Sequence, residues 1–396
     1  MSEAPALRIP PPDFLADPGL RAVLAALPEA RLVGGAVRDA LAERPVADID
    51  LATPRLPDGI VKALTQAGIR AVPTGIAHGT ITAVSGGRGF EVTTLRRDVE
   101  TDGRHASVAF TDDWRVDAAR RDFTINAMSM TADGAVFDYF SGIADLRAGM
   151  VRFVGDPATR IAEDYLRILR FFRFFARYGT GTPDTAALAA IRAGLGGLAI
   201  LSVERVWSEL QRILAAPDPS GAIARMAELG VLAAVLPEGV DPQILSRLVA
   251  AGAPADPILR LAALLTGDAV AVAARLKLST TERERLAALR AGPLPHPDAD
   301  EDELRRLLAN DPPDILIGRV WLAGEATQDW TQLRNRLAAI PRPVFPLEGR
   351  DALAIGIAPG PEMGVMLRTV RDWWLAGGCR AAAAACRAEL ARRARG

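Results

Sequence analysis

The chain reads as an α+β protein, with strands and helices mixed in roughly its first 150 residues and helices alone beyond. Three observations predict this. Two β-prone runs, Thr80-Ile-Thr-Ala-Val84 and Gly89-Phe-Glu-Val-Thr-Thr-Leu95, flank the turn Ser85-Gly-Gly-Arg-Gly89 and predict a hairpin. Beyond Ser202-Val-Glu-Arg-Val-Trp-Ser-Glu-Leu-Gln-Arg-Ile-Leu214 come amphipathic stretches of helical period, split by Pro and Gly at Ala216-Pro-Asp-Pro-Ser220 and Ala291-Gly-Pro-Leu-Pro295. No strand-rich block or clear internal repeat breaks that succession.

The first element of chemical interest is the short apolar run Arg31-Leu-Val33, which ends in Gly34-Gly35. The composition from Ala36 to Ala42 then favours a helix. Glycines at a strand-to-helix junction let backbone N–H groups approach a phosphate closely, and Arg38 adds a full positive charge. On the next predicted strand, Asp48 and Asp50 are two residues apart, so both carboxylates share one face and Ile49 and Leu51 the other. Two adjacent carboxylates repel unless a cation sits between them. Hard oxygen ligands of this kind suit Mg²⁺ and the two-metal displacement of pyrophosphate from a nucleoside triphosphate. Glu91 in the hairpin offers a third carboxylate; its other reading is an exposed edge-strand glutamate.

Farther on, Arg96-Arg-Asp-Val-Glu-Thr-Asp-Gly-Arg-His105 is too charged to bury and too long for a tight turn, which predicts a mobile loop near the site. The segment Ala119-Arg-Arg-Asp-Phe-Thr-Ile-Asn-Ala-Met-Ser129 interleaves polar and apolar residues as a half-buried helix does. Within it, Arg121 is suited to hold a triphosphate by forked hydrogen bonds and Asp122 to accept from a ribose hydroxyl.

Residues Ile161 to Arg177 have the period of one continuous helix, ended by Tyr178-Gly179. Asp164, Arg167, Arg170 and Arg173 recur every third residue and form a slowly drifting stripe, while Phe171, Phe174 and Phe175 mostly face elsewhere. Ionised Asp only accepts hydrogen bonds and Arg only donates them. Cytosine and adenine each set an amino donor beside a ring-nitrogen acceptor, so Asp164 with Arg167 complements C and A and mismatches U and G. Arg170 and Arg173 are then left for the triphosphate or an RNA backbone. Glu204 and Arg205 either buttress this helix or form an ordinary surface pair.

Together the Gly-Gly-Ala-Val-Arg-Asp and Asp-Ile-Asp elements, Arg-Arg-Asp-Phe-Thr-Ile-Asn-Ala-Met and Glu-Asp-Tyr-Leu-Arg resemble the class II CCA-adding enzyme and bacterial poly(A) polymerase family. The resemblance covers roughly the first half of the chain. It implies a polymerase-β-like nucleotidyltransferase head (1–150), a neck carrying the base-reading helix (151–215), a body (216–330) and a tail (331–396), the last three all-α. It implies addition of C, C and A to the tRNA 3′ end from CTP and ATP without a template. The family's metal aspartates fall on Asp48 and Asp50, and its nucleotide-binding positions on Gly35, Arg38, Arg121, Asp164, Arg167, Arg170 and Arg173. Thr93 to His105 is similar to the flexible loop tied to adding the final A. Poly(A) synthesis is the alternative in the same chemistry, and a catalytically silent RNA-binding protein the alternative in another class.

At 396 residues the chain has room for roughly two to four domains. Its net charge of −1 leaves RNA binding to local basic patches. No apolar run approaches a membrane span and no basic region leads into a signal-like core, which predicts a cytoplasmic protein without membrane attachment. Cys379 and Cys386, read as neighbours in one alanine-rich helix, need neither disulfide nor metal. His78, His105 and His296 are scattered, which argues against a histidine-based phosphohydrolase domain. Phe345 to Leu367 reads as helix, Gly-Pro turn, helix. Such a turn is either a phosphate-holding surface for tRNA or a plain helical hairpin.

Overall fold

The computed structural model describes residues 3–101, 106–323 and 327–395. The chain forms two compact units, Met1–Val235 and Leu236–Gly396. Among the described residues the strands are β1 (Leu7–Arg8), β2 (Arg31–Val33), β3 (Asp50–Thr53), β4 (Arg70–Gly75), β5 (Thr80–Ser85), β6 (Arg88–Thr94), β7 (Arg96–Thr101), β8 (Ala106–Phe110), β9 (Met128–Met130) and β10 (Ala135–Asp138). Eight of them build one mixed sheet in the order β1-β10-β9-β2-β3-β6-β5-β4, and β7 and β8 pair separately. Only β3 and β6 run parallel. That pair sits centrally and places Asp50 in register with Glu91.

The predicted hairpin is present as β5 and β6, closed at Ser85 and Arg88. Gly86 and Gly87 take φ of 58° and 77° in the turn between them, a conformation that matches the strand twist and strains any residue with a Cβ. The helices α1 (Pro18–Ala26), α2 (Gly35–Leu41) and α3 (Pro57–Gln66) share one apolar core with the sheet, in which Leu20, Val37, Leu51, Ile60, Leu64, Ile81 and Val92 are buried. Burying these side chains is the main favourable term holding the strands together.

The rest of the first unit is helical: α4 (Trp114–Ala119), α5 (Gly142–Arg147), α6 (Pro157–Glu163), α7 (Leu166–Tyr178), α8 (Thr185–Gly194), α9 (Val203–Leu214), α10 (Ser220–Glu228) and α11 (Val231–Val235). α7 packs on α9 and α10. Its inner face also meets Phe123 and Phe153, with Phe123 ring centroids 4.8 Å from Phe153 and 5.2 Å from Phe174. Such aromatic contacts add to area burial and fix α7 against the strand-bearing segment.

Three local expectations change. Residues 119–129 are not a helix: α4 stops at Ala119, a single 3₁₀ turn spans Thr124–Asn126, and β9 follows. The Asp122 carboxylate accepts from the Phe123 N–H and the Asn126 amide, which offers the backbone an alternative to helix. The stretch from Ile161 to Arg177 is two helices, because Asp164 is extended (φ −158°, ψ 106°) between α6 and α7. Its side chain accepts the Leu166 N–H at 3.1 Å and starts α7, so Asp164 precedes the arginine stripe instead of belonging to it. The stretch predicted as a loop begins as strand β7, paired from Arg96↔Phe110 to Thr101↔Ala106 with β8; residues 102–105, with His105, lie outside the described residues.

The second unit holds helices α12 (Pro242–Ala250), α13 (Pro257–Leu264), α14 (Ala269–Arg275), α15 (Thr280–Arg290), α16 (Glu301–Asn310), α17 (Pro313–Ala323), α18 (Gln328–Ala339), α19 (Gly349–Leu353), α20 (Pro361–Ala376) and α21 (Ala383–Ala394). One cluster joins Leu304, Leu316, Val320, Leu333 and Leu337, and another joins Leu347, Val370, Trp374, Cys379, Cys386 and Leu390. The predicted helix-turn-helix over 345–367 is thus the short α19, a loop and the start of α20. The cysteines are free and buried but do not share a helix, since Cys379 lies in the turn before α21.

Candidate active site

Strand β2 delivers the chain to Gly34, whose φ of 65° and ψ of −120° turn it into α2. A side chain is excluded there twice over, by the backbone angles and because a Cβ would lie 2.9 Å from Arg121 Nη1. The guanidinium of Arg121 therefore lies across the glycine turn. Arg38, one turn into α2, is buried, donates to Asn126 Oδ1 at 2.6 Å and pairs with Asp39 at 3.1 Å.

Beside this turn, Asp48 and Asp50 are exposed while Ile49 and Leu51 are buried, the alternation expected from the sequence, although β3 itself begins at Asp50. Partial desolvation in the cleft and the negative charges of Glu91 and Asp48 raise the Asp50 carboxyl above the ordinary aspartate value, with Arg121 opposing. Among the described residues no cluster of three His, Cys, Asp or Glu side chains is gathered closely enough to enclose an ion. Even so, the hard carboxylate oxygens of Asp48 and Asp50, on one exposed face with Glu91 in register on the next strand, fit a divalent cation.

A cleft of about 510 Å³ unites most of the predicted residues. Gly34, Gly35, Arg38, Asp50, Arg121, Asp122, Asp164, Arg167, Arg170 and Arg173 line it, together with Asn126, Phe174, Arg120 and Arg205. Asp48 and Glu91 are not in that lining. Asp164 is held as an acceptor by Arg205, which reaches it at 2.7 Å and so buttresses it. Arg167 donates to Glu163 and to the Arg160 carbonyl, the latter at 2.7 Å.

Asp122 is less open than a free ribose acceptor: it is buried and accepts from Arg170 Nε at 2.7 Å and from Asn126 at 3.0 Å. Against desolvation, the Arg170 charge and the Asn126 amide hold its carboxyl below the usual range. Arg173 turns to Glu209 at 3.2 Å, and burial with the adjacent Arg170 charge pushes its guanidinium down to about 10, still charged at neutral pH. Arg170 and Arg173 are thus largely engaged inside the protein. Asn126 and Glu209 are the residues the sequence reading missed as site-builders. Asn126 lay in the quoted segment, whereas nothing local marked Glu209 as part of the site, since Arg170 and Arg173, the cleft residues it pairs with, are on another helix.

Residues 30–152 match the family model described as the Poly A polymerase head domain. Residues 182–241 match one described as a probable RNA and SrmB-binding site of polymerase A. Over 368 residues the chain is 36% identical to CCA tRNA nucleotidyltransferase 1, mitochondrial, of Mus musculus, covering 89% of this chain and 84% of that protein. The chain belongs to the CCA-adding enzyme family. It is also 34% identical over 382 residues to the CCA-adding enzyme of Levilactobacillus brevis, with 90% and 92% covered. The crystal structure of the Bacillus stearothermophilus CCA-adding enzyme in complex with CTP superposes with a TM-score of 0.73 at 26% identity, covering 91% of this chain and 94% of that one. The mixed-sheet head and helical remainder are accordingly the family architecture, and nucleotidyltransferases of this fold class typically use divalent metals. No helix among the described residues is long and apolar enough to cross a membrane.

Proposed function

We propose that this protein adds C, C and A to the 3′ end of tRNA, taking CTP and ATP in turn without a template. The observation that carries the reading is the single cleft in which Asp50, the glycine turn with Arg38 and Arg121, and the pair Asp164 and Arg167 converge. The tRNA 3′ hydroxyl attacks the α-phosphorus, the new phosphodiester forms, and pyrophosphate leaves. Arg121 and the N–H groups of the Gly34-Gly35 turn hold the triphosphate, with Arg38 behind them. Asp164 accepts from the amino group of C or A, and Arg167 donates to the neighbouring ring nitrogen. Arg205 keeps Asp164 aimed, and Arg170 and Arg173 keep the arginine stripe in place. Asp48 and Asp50 are the residues that would hold Mg²⁺, with Glu91 adding negative charge beside them. When bound, the metal neutralises the triphosphate and makes the attacking hydroxyl more acidic. Head and neck, with boundaries near residues 150 and 215, fall in the first unit on this reading; the body, from residue 216, begins in that unit and passes into the second beyond Val235, where the tail and any tRNA-facing surface at 345–367 lie.

The test is incubation of the purified chain with Mg²⁺ and tRNA ending at the discriminator base, with each NTP alone and in combination, followed by product sequencing. Ends reading CCA support the proposal. A long A tract would instead favour poly(A) synthesis, the reading to which the description of the head-domain match also points.

A further inference from the structure

The Asp117 carboxylate belongs to none of the motifs above and does not line the cleft. It is nonetheless 3% exposed, and three contacts tie it to residues of the site and its surroundings. Oδ1 accepts from Arg120 Nε at 2.9 Å and from the backbone N–H of Arg96, the first residue of the β7–β8 ribbon, at 3.2 Å. Oδ2 accepts from Arg121 Nη2 at 3.3 Å. The other end of that guanidinium, Nη1, reaches the Asn126 carbonyl at 3.5 Å and lies over Gly34. Two adjacent arginines repel each other, and one buried carboxylate shared between them is what keeps both in place.

We propose that Asp117 is a positioning residue that pins Arg121 across the Gly34 turn and ties it to the base of the β7–β8 ribbon, so that the ribbon's anchorage governs the grip on the triphosphate. The inference rests on the reading of the cleft as a triphosphate site. Motion at the ribbon base passes to Arg121 through one carboxylate, without touching the base-reading pair. The chemical class whose binding depends on it is the β,γ-diphosphate part of a nucleotide and not its base.

The experiment compares CTP and CMP binding to the full chain by calorimetry, for the wild type and for Asp117→Asn. The amide keeps one acceptor for Arg120 and Arg96 but sets a donor against the Arg121 N–H. CTP affinity should fall about tenfold, equivalent to about 1.4 kcal/mol, with CMP affinity within about twofold of wild type. The Arg96 amide, left with a neutral in place of a charged acceptor, should also exchange with solvent faster. A carboxylate with only a structural role would leave the CTP-to-CMP ratio unchanged, and that result overturns the proposal. Should Asp117→Asn fail to fold, the same ratio is read on Asp117→Glu, whose longer arm keeps the charge but misplaces it: a fall of about threefold supports the proposal, and no fall overturns it. A wild-type chain that binds CTP no better than CMP sinks the triphosphate reading itself, before the variants are compared.

Discussion

Gly34 and Gly35 are neighbours in sequence, yet replacement by alanine should move stability in opposite directions. Gly34 sits at φ 65° and ψ −120°, a region that residues with a Cβ occupy only under strain of about 1–3 kcal/mol. The added methyl would also lie 2.9 Å from Arg121 Nη1; the guanidinium end can yield, but only by leaving its place over the turn. Gly35 is the first residue of α2, and its methyl would meet Arg38 Nη2 at 3.6 Å, an ordinary contact. Alanine there gains up to about 0.5–1 kcal/mol over glycine from the entropy of the unfolded chain. For a unit of this size each kcal/mol shifts melting by about 2–4 °C. Gly34→Ala should therefore melt roughly 2–12 °C lower than wild type, and Gly35→Ala at or slightly above it. Both should add nucleotides poorly, Gly34→Ala through Arg121 and Gly35→Ala by blocking close approach of a phosphate to the backbone. The assay is thermal melting followed by circular dichroism without nucleotide, paired with CTP binding. Equal melting of Gly34→Ala and wild type would refute the argument from backbone geometry, and so would a drop in Gly35→Ala as large as that in Gly34→Ala.

Asp48→Ala or Asp50→Asn should abolish nucleotide addition and leave tRNA affinity, read by filter binding, nearly unchanged; near-normal turnover in either would remove the metal assignment. Because the Asp50 carboxyl is raised, folding favours its protonated form, and the metal-free protein loses stability as pH rises from the ordinary aspartate value through the raised one. Asp50→Asn should accordingly melt higher than wild type at pH 7 without metal, and the acid limb of the wild-type pH–rate profile should move to lower pH as Mg²⁺ increases. Asp164→Ala or Arg167→Ala should relax discrimination against UTP and GTP by about 1–3 kcal/mol in competition assays, with Arg205→Ala a milder version of Asp164→Ala; unchanged selectivity would confine α7 to phosphate contacts. Shortening the ribbon between Arg97 and Val108 should yield tRNA ending in CC with C addition intact, because fitting a purine after a pyrimidine demands that the pocket resize. Normal CCA ends from that deletion would reduce the ribbon to a connector.

The sequence by itself determined what depends on neighbours along the chain. The alternation of Asp48, Ile49, Asp50 and Leu51, the β5–β6 turn at Gly86-Gly87, the helix after Gly34-Gly35 and the all-helical second unit follow from local period and backbone preference, which near neighbours alone can encode. Its misreadings occurred where side chains compete with the backbone. Asp122 and Asn126 bend residues 119–129 out of a helix that the apolar spacing had promised, and Asp164 starts α7 where the same spacing had suggested continuation. Only tertiary structure brought Asp122 to Arg170, Glu209 to Arg173 and Asp117 to the Arg96 N–H: the first follows burial of the Phe123, Phe153 and Phe171 cluster, the second the packing of α7 on α9, and the third the packing of Trp114 on the Leu95 cluster, none of which spacing encodes. Charge pattern alone assigned Arg170 and Arg173 to the triphosphate or an RNA backbone; both line the cleft, and the fold, which cannot bury a charge without a partner, also sets them against Asp122 and Glu209, which no local pattern announced.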